Sequence, residues 1–139
     1  MAQKTREVMT PAPVALPSDT PLIEAAKRMR DQGIGTVLVH EDDRLRGLIT
    51  DRDIVVRAVA ADKSPATTTV GSICSDRLVT VGPDESANAA VQLMRDNAVR
   101  RIPVVENGQA IGILSIGDLA IERDEKSALA DVSAAPPNS

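Results

Sequence analysis

The chain contains no phenylalanine, tyrosine or tryptophan. Aromatic rings usually supply the largest single burials in a core, so Val, Ile, Leu, Ala and Met must fill this one. The same absence excludes base stacking on rings, the usual platform for single-stranded nucleic acid. Recognition of a base by aliphatic packing and backbone hydrogen bonds stays open. One cysteine, Cys74, excludes an intramolecular disulfide framework. One histidine, His40, leaves no His/Cys cluster for structural zinc, and no metal site is expected. No apolar run approaches the roughly 18–20 residues that span a bilayer. The opening MAQKTREVMT lacks the apolar stretch of a secretory signal. A cytoplasmic protein without a membrane partner is the expectation. A basic excess is missing too: 16 Lys and Arg stand against 20 Asp and Glu, a net charge of −4. Coating nucleic acid needs a basic face, so nucleic acid is not an expected partner.

What is present is ordinary globular material. Hydrophobic residues make up 42% and charged residues 26%, which excludes a wholly disordered chain. With 139 residues, the chain is one compact unit or two small halves that share a core.

Two halves are legible directly. Sliding the sequence against itself by 65 residues aligns Val8–Ile54 with Ile73–Leu119 without a gap, and ten of the 47 pairs are identical. Ordinary residue usage gives roughly three. The identities include Val14/Val79, Asp19/Asp84, Ala25/Ala90, Val39/Val104, Gly47/Gly112 and Asp53/Asp118, and the run Met29-Arg30-Asp31 recurs as Met94-Arg95-Asp96. The chain is a tandem duplication.

Each copy reads as β-α-β-β-α. Val14-Ala15-Leu16 and Val79-Thr80-Val81 are short extended segments. Leu22, Ala25, Ala26 and Met29, and then Ala87, Ala90, Val91 and Met94, fall at i, i+3, i+4, i+7, the apolar stripe of a helix. Thr20-Pro21 suits the first helix start and Gly33 its end, with Asn97 ending the second. Strands over Thr36–His40 and Leu45–Thr50 flank an acidic turn. Strands over Ile102–Glu106 and Gln109–Ser115 flank Asn107-Gly108, a two-residue hairpin signal. A last helix starts near Asp53 and near Asp118. The fold class is thus α+β, a tandem pair packed sheet to sheet with pseudo-twofold symmetry. Its expected limits are 1–59 for the first domain, 60–69 for a linker, 70–121 for the second domain and 122–139 for a mobile tail.

The matching tetrads Thr50-Asp51-Arg52-Asp53 and Ser115-Ile116-Gly117-Asp118 each follow a strand and open a helix. A Ser or Thr three residues before an Asp forms a helix-capping box. The same hydroxyl and helix start can hold a phosphate, and the Asp can accept from ribose hydroxyls. Both readings fit the spacing, and one arrangement can serve both.

These residues carry a family resemblance. Val8-Met9-Thr10, Asp19, Ala25-Ala26, Met29, Gly33-Ile34 and Gly47-Leu48-Ile49-Thr50-Asp51-Arg52-Asp53, repeated in the second half, resemble a cystathionine-β-synthase (CBS) domain. The resemblance covers roughly residues 3–121 and is to a stand-alone tandem pair, or Bateman module, of bacterial type. It implies a regulatory homodimer rather than an enzyme, with no covalent cofactor and no catalytic residues. It implies a ligand, AMP, ADP, ATP or S-adenosylmethionine, in clefts between the halves, and signalling to a separate effector protein. The alternative is an interaction dimer with no small ligand. By position, Thr50 and Asp53 would contact phosphate and ribose in one cleft, and Ser115 and Asp118 in the other. Adenine would lie near Val14, Ala15, Leu16 and Val37, and near Val79, Thr80, Val81, Ile102 and Pro103. Arg100 and Arg101 stand where the family often places a phosphate-binding cation, whereas the first half has Gly35-Thr36 there. The Ser115/Asp118 cleft is therefore expected to prefer a phosphorylated ligand and the first cleft to be empty or to take a less charged one, and a solvated strand edge or a salt bridge is the alternative role for the two arginines.

Overall fold

A computed structural model describes residues 3–75 and 78–123 of the chain. The predicted tail falls mostly on residues 124–139, outside the described residues. Glu122 and Arg123 continue the last helix.

The fold is mixed α/β with two three-stranded sheets. In chain order the elements are α1 (Thr5–Val8), β1 (Thr10–Pro11), β2 (Ala15–Pro17), α2 (Leu22–Gln32), β3 (Thr36–Glu41), β4 (Arg44–Thr50) and α3 (Asp51–Asp53). A π-helical segment, Ile54–Val59, continues α3. Then come α4 (Val70–Ile73), α5 (Ala87–Asn97), β5 (Arg101–Glu106), β6 (Gln109–Ser115) and α6 (Ile116–Arg123). The predicted strand at Val79–Val81 is reduced to a single parallel bridge, Val81 to Val104.

Among the described residues, 14–75 with Leu78 form one compact unit, and 3–13 with 79–123 form the other. In the first unit β2 runs parallel to β3, and β3 pairs antiparallel with β4. Leu22, Ala25 and Met29 of α2 pack with Leu16, Val37, Val39 and Ile49 from the sheet, and α4 adds Val70 and Ile73. Cys74 lies in the same core, its thiol 3.5 Å from the Gly71 carbonyl. In the second unit β6 lies between β1 and β5, antiparallel to both. Ala87, Ala90 and Met94 of α5 pack there on Ile102, Val104 and Leu114. The helical spacing of apolar residues thus becomes the buried face in both copies, as its 3.6-residue period requires.

The compact units cross the repeat boundaries. The leading segment of each repeat docks on the other repeat's helix start. Leu22 N–H donates to the Thr68 carbonyl at 2.7 Å, and Val70 and Gly71 donate to Thr20 and Ser18. Sixty-five residues away the pattern recurs: Ala87 N–H donates to Gln3 at 2.7 Å, and Thr5 and Arg6 donate to Glu85 and Pro83. These bonds take up orphan donors at the first turn of α2 and α5. They also tie down much of the stretch expected as the linker between halves, since Ile23 N–H reaches the Pro65 carbonyl at 3.0 Å.

Local details follow residue chemistry. Asn107 and Gly108 have φ of 53° and 79°, and Asp42 and Asp43 have 52° and 61°. Both hairpins therefore turn with two left-handed residues, the geometry whose twist matches paired strands. Helix α2 ends on left-handed Gly33 as expected. Helix α5 runs to Asn97, and its left-handed cap is the next residue, Ala98, with φ of 54°. Pro21 precedes α2 at the cap position rather than occupying its first turn.

Candidate functional site

The tetrads form the same structure twice. Thr50 Oγ1 accepts from Asp53 N–H at 3.1 Å, and Asp53 Oδ2 accepts from Thr50 N–H at 2.9 Å. Ser115 Oγ accepts from Asp118 N–H at 3.1 Å, and Asp118 Oδ2 accepts from Ser115 N–H at 2.9 Å. Both are reciprocal capping boxes, so the capping role is realised in both. Each box engages one carboxylate oxygen, Oδ2, and does not use Oδ1. The four side chains are half-buried.

Strand register decides what else shares this face. Ile102 pairs with Leu114 and both enter the core, so their neighbours Arg101 and Ser115 turn to the opposite face of the sheet. Arg101 and Ser115 are themselves partners across β5 and β6. Beside them, Ile116 N–H donates to the Arg100 carbonyl at 3.0 Å, which makes Arg101–Ser115 a narrow, non-hydrogen-bonded pair with Cα atoms about 4.5 Å apart. Arg101 is half-buried and Arg100 exposed. Among the described residues neither forms a salt bridge. A forked, unpaired cation therefore stands beside a capping hydroxyl and a carboxylate, an arrangement suited to a phosphate.

The first unit repeats the geometry with other chemistry. Thr36 pairs with Thr50, and Asp51 N–H donates to the Gly35 carbonyl at 3.0 Å, so this pair is narrow as well. Val37 and Ile49 enter the core, and Thr36 and Thr50 share the other face. Thr36 is buried, and among the described residues its Oγ1 has no hydrogen-bond partner. Leu38 here and Pro103 in the second unit follow on the same faces and are fully buried.

The residues expected near adenine separate by strand parity. Leu16 and Val37 belong to the first core, and Val14 packs against it. Val81 and Ile102 belong to the second core, and Val79 packs against it. The side chains of Leu16, Val37, Val81 and Ile102 are buried there, so a ligand could meet these positions through their backbone. Ala15 and Thr80 are exposed. An open concavity of about 560 Å³, lined by Glu41, Asp42, Arg44 and Arg46, lies at the turn end of the β3–β4 hairpin, away from Thr36 and Thr50.

A family model for the CBS domain matches residues 6–59 and again residues 70–124. The chain belongs to the CBS-domain family. It carries the domain in tandem, and such pairs are typically regulatory or signal-transduction modules. CBS domains commonly bind adenosine-containing ligands, and their proteins oligomerise. The chain is 34% identical over 116 residues to hypoxic response protein 1 of Mycobacterium tuberculosis, covering 83% of this chain and 81% of that protein. A crystal structure of Hypoxic Response Protein I, with two coordinated zinc ions, superposes with a TM-score of 0.76 at 32% identity over 86% of this chain and 98% of that one. An uncharacterized protein of Methanopyrus kandleri is 39% identical over 116 residues, which span 82% of this chain and 57% of that protein. The structure of a putative signal-transduction protein with CBS domains from Burkholderia ambifaria gives a TM-score of 0.81 at 26% identity, over 90% of this chain and 96% of that one. Zinc belongs to that Hypoxic Response Protein I structure; among the described residues here, no three His, Cys, Asp or Glu side chains cluster to hold a metal ion. Among the described residues, no helix is long and apolar enough to cross a membrane.

Proposed function

We propose that this tandem CBS protein is a cytoplasmic, non-catalytic sensor of an adenosine-containing nucleotide that signals to a separate effector protein. The supporting observation is the narrow Arg101–Ser115 pair beside the Asp118 capping box. Ser115 and Arg101 would hold the phosphate. Asp118, through the oxygen its cap leaves unused, would accept from the ribose. Ordering these groups around a ligand links binding to the conformation of the second unit, and a ligand shifts that equilibrium by its differential affinity for the two states.

Thermal melting with AMP, ADP, ATP and S-adenosylmethionine tests the reading. A ligand bound only by the native state raises Tm, and the rise grows with the logarithm of its concentration above Kd. One or more of the four should do so, and Asp118→Ala should remove the shift given by a phosphorylated ligand. Flat curves with all four would overturn it.

A second reading, an interaction dimer without a small ligand, is favoured by one observation. Val55, Val56 and Val59 on the π-helical segment are 58%, 49% and 61% exposed. Clustered apolar exposure of this kind commonly marks a protein-binding face. Sedimentation of wild type against Val55→Glu/Val59→Glu distinguishes a self-association surface from an effector surface.

A further inference from the structure

The polar inventory of the first unit leaves one group unexplained. Thr36 is 8% exposed, and among the described residues its hydroxyl has no donor or acceptor partner. Buried hydroxyls are nearly always bonded, because removal from water is otherwise uncompensated. Thr36 stands at the position that Arg101 occupies in the second unit, opposite the cap hydroxyl of Thr50 and on the face turned away from the core.

The charges around the two positions also differ. In the first unit, exposed Asp51 and Arg52 and half-buried Asp53 leave one net negative charge beside Thr36. In the second, Arg100 and Arg101 outweigh Asp118, and Ile116 and Gly117 are neutral. A phosphate at Thr36 would meet a carboxylate excess, with Arg52 the cation of the tetrad and no guanidinium at the position of Arg101. A neutral hydroxyl or amide would meet a group able both to donate and to accept.

Building on the nucleotide reading above, we infer that the Thr36 hydroxyl is a specificity-determining group. It hydrogen-bonds an uncharged polar substituent, so the first unit takes a nucleoside without phosphate while Arg101 directs a phosphorylated one to the second. A χ1 rotation carries Oγ1 among its staggered positions and presents it to the ligand.

Titration calorimetry on the full chain tests this with adenosine and AMP as probes. Asp118→Ala is the common background, so that the signal reports the first unit. In that background adenosine should bind more tightly than AMP. Thr36→Val should weaken adenosine about tenfold, the ratio one neutral hydrogen bond carries, and Thr36→Ser should keep it. Thr36→Arg should reverse the preference toward AMP. Circular dichroism establishes that each variant is folded. Unchanged adenosine affinity in Thr36→Val would overturn the inference and leave the nucleotide reading standing. Failure of the unmodified protein to bind either probe would overturn both.

Discussion

Arg101 and Ser115 face each other across β5 and β6 in a narrow pair, and Thr36 and Thr50 do the same across β3 and β4. One backbone arrangement thus presents a cation beside a cap hydroxyl in one unit and a neutral hydroxyl in the other. The contrast separates two adjacent arginines that sequence alone treats alike. Only Arg101 lies on the face of Ser115. Arg100 precedes the strand and is exposed.

Arg101→Ala should therefore lower AMP affinity by roughly tenfold or more, the scale of a lost charge-assisted hydrogen bond. Arg100→Ala should change it less than twofold. Calorimetry on the two variants checks the order. Equal losses would mean a diffuse electrostatic effect rather than a positioned guanidinium.

Ala98 closes α5 in the left-handed conformation that Gly33 adopts at the end of α2. A Cβ is disfavoured there, so Ala98→Gly should stabilise the protein by about 1 kcal/mol. Urea unfolding measures this as a higher midpoint at unchanged slope. The reverse change, Gly33→Ala, should cost a similar amount.

Gly47 has no room for a side chain. A Cβ there would lie 2.5 Å from the Ser75 carbonyl oxygen, and backbone would have to move. Its repeat partner Gly112 is crowded by Met9 and by the Thr10 carbonyl, the same leading segment one repeat earlier. Gly47→Ala should cost about 1–3 kcal/mol, the usual range for overpacking. Thermal melting should show a lower Tm, and an unchanged Tm would mean that 74–75 does not dock on β4.

These results show what a single sequence encodes. The duplication, the helical stripes and the Asn107-Gly108 turn are local patterns, and their periods survive folding. Exchange of the leading segments is not local. Thr5 and Arg6 bond to Glu85 and Pro83, about eighty residues away, and a four-residue helix carries no signal for which copy it will meet. Strand parity was the other loss. Val37 and Ile102 are the strand residues the resemblance names, and alternation sends their side chains into the cores and gives the outer face to Thr36 and Arg101. The capping boxes were legible because Ser/Thr-x-x-Asp is a contiguous motif with one local geometry.

Arg6 bridges Asp84 and Glu106 at 3.2 Å each and clasps α1 to the rest of the second unit, of which it is part. The hydrogen bond from Arg6 holds the Asp84 carboxyl below its ordinary value. Its unfolded value is about 3.9, and the folded value is lower. The stabilisation is therefore complete above that unfolded value and disappears as pH falls through the folded one. A carbon-detected NMR titration of Asp84 should show its pKa rising in Arg6→Ala. No change would mean the clasp does not form in solution.

The most direct measurement of the central claim is an amide NMR titration of the full chain with AMP. Perturbations should concentrate at Arg101, Ser115 and Asp118 of the second unit, and Asp118→Ala should remove them. Saturating AMP without shifts at these three residues, or with shifts confined to other parts of the chain, would contradict the proposed nucleotide site.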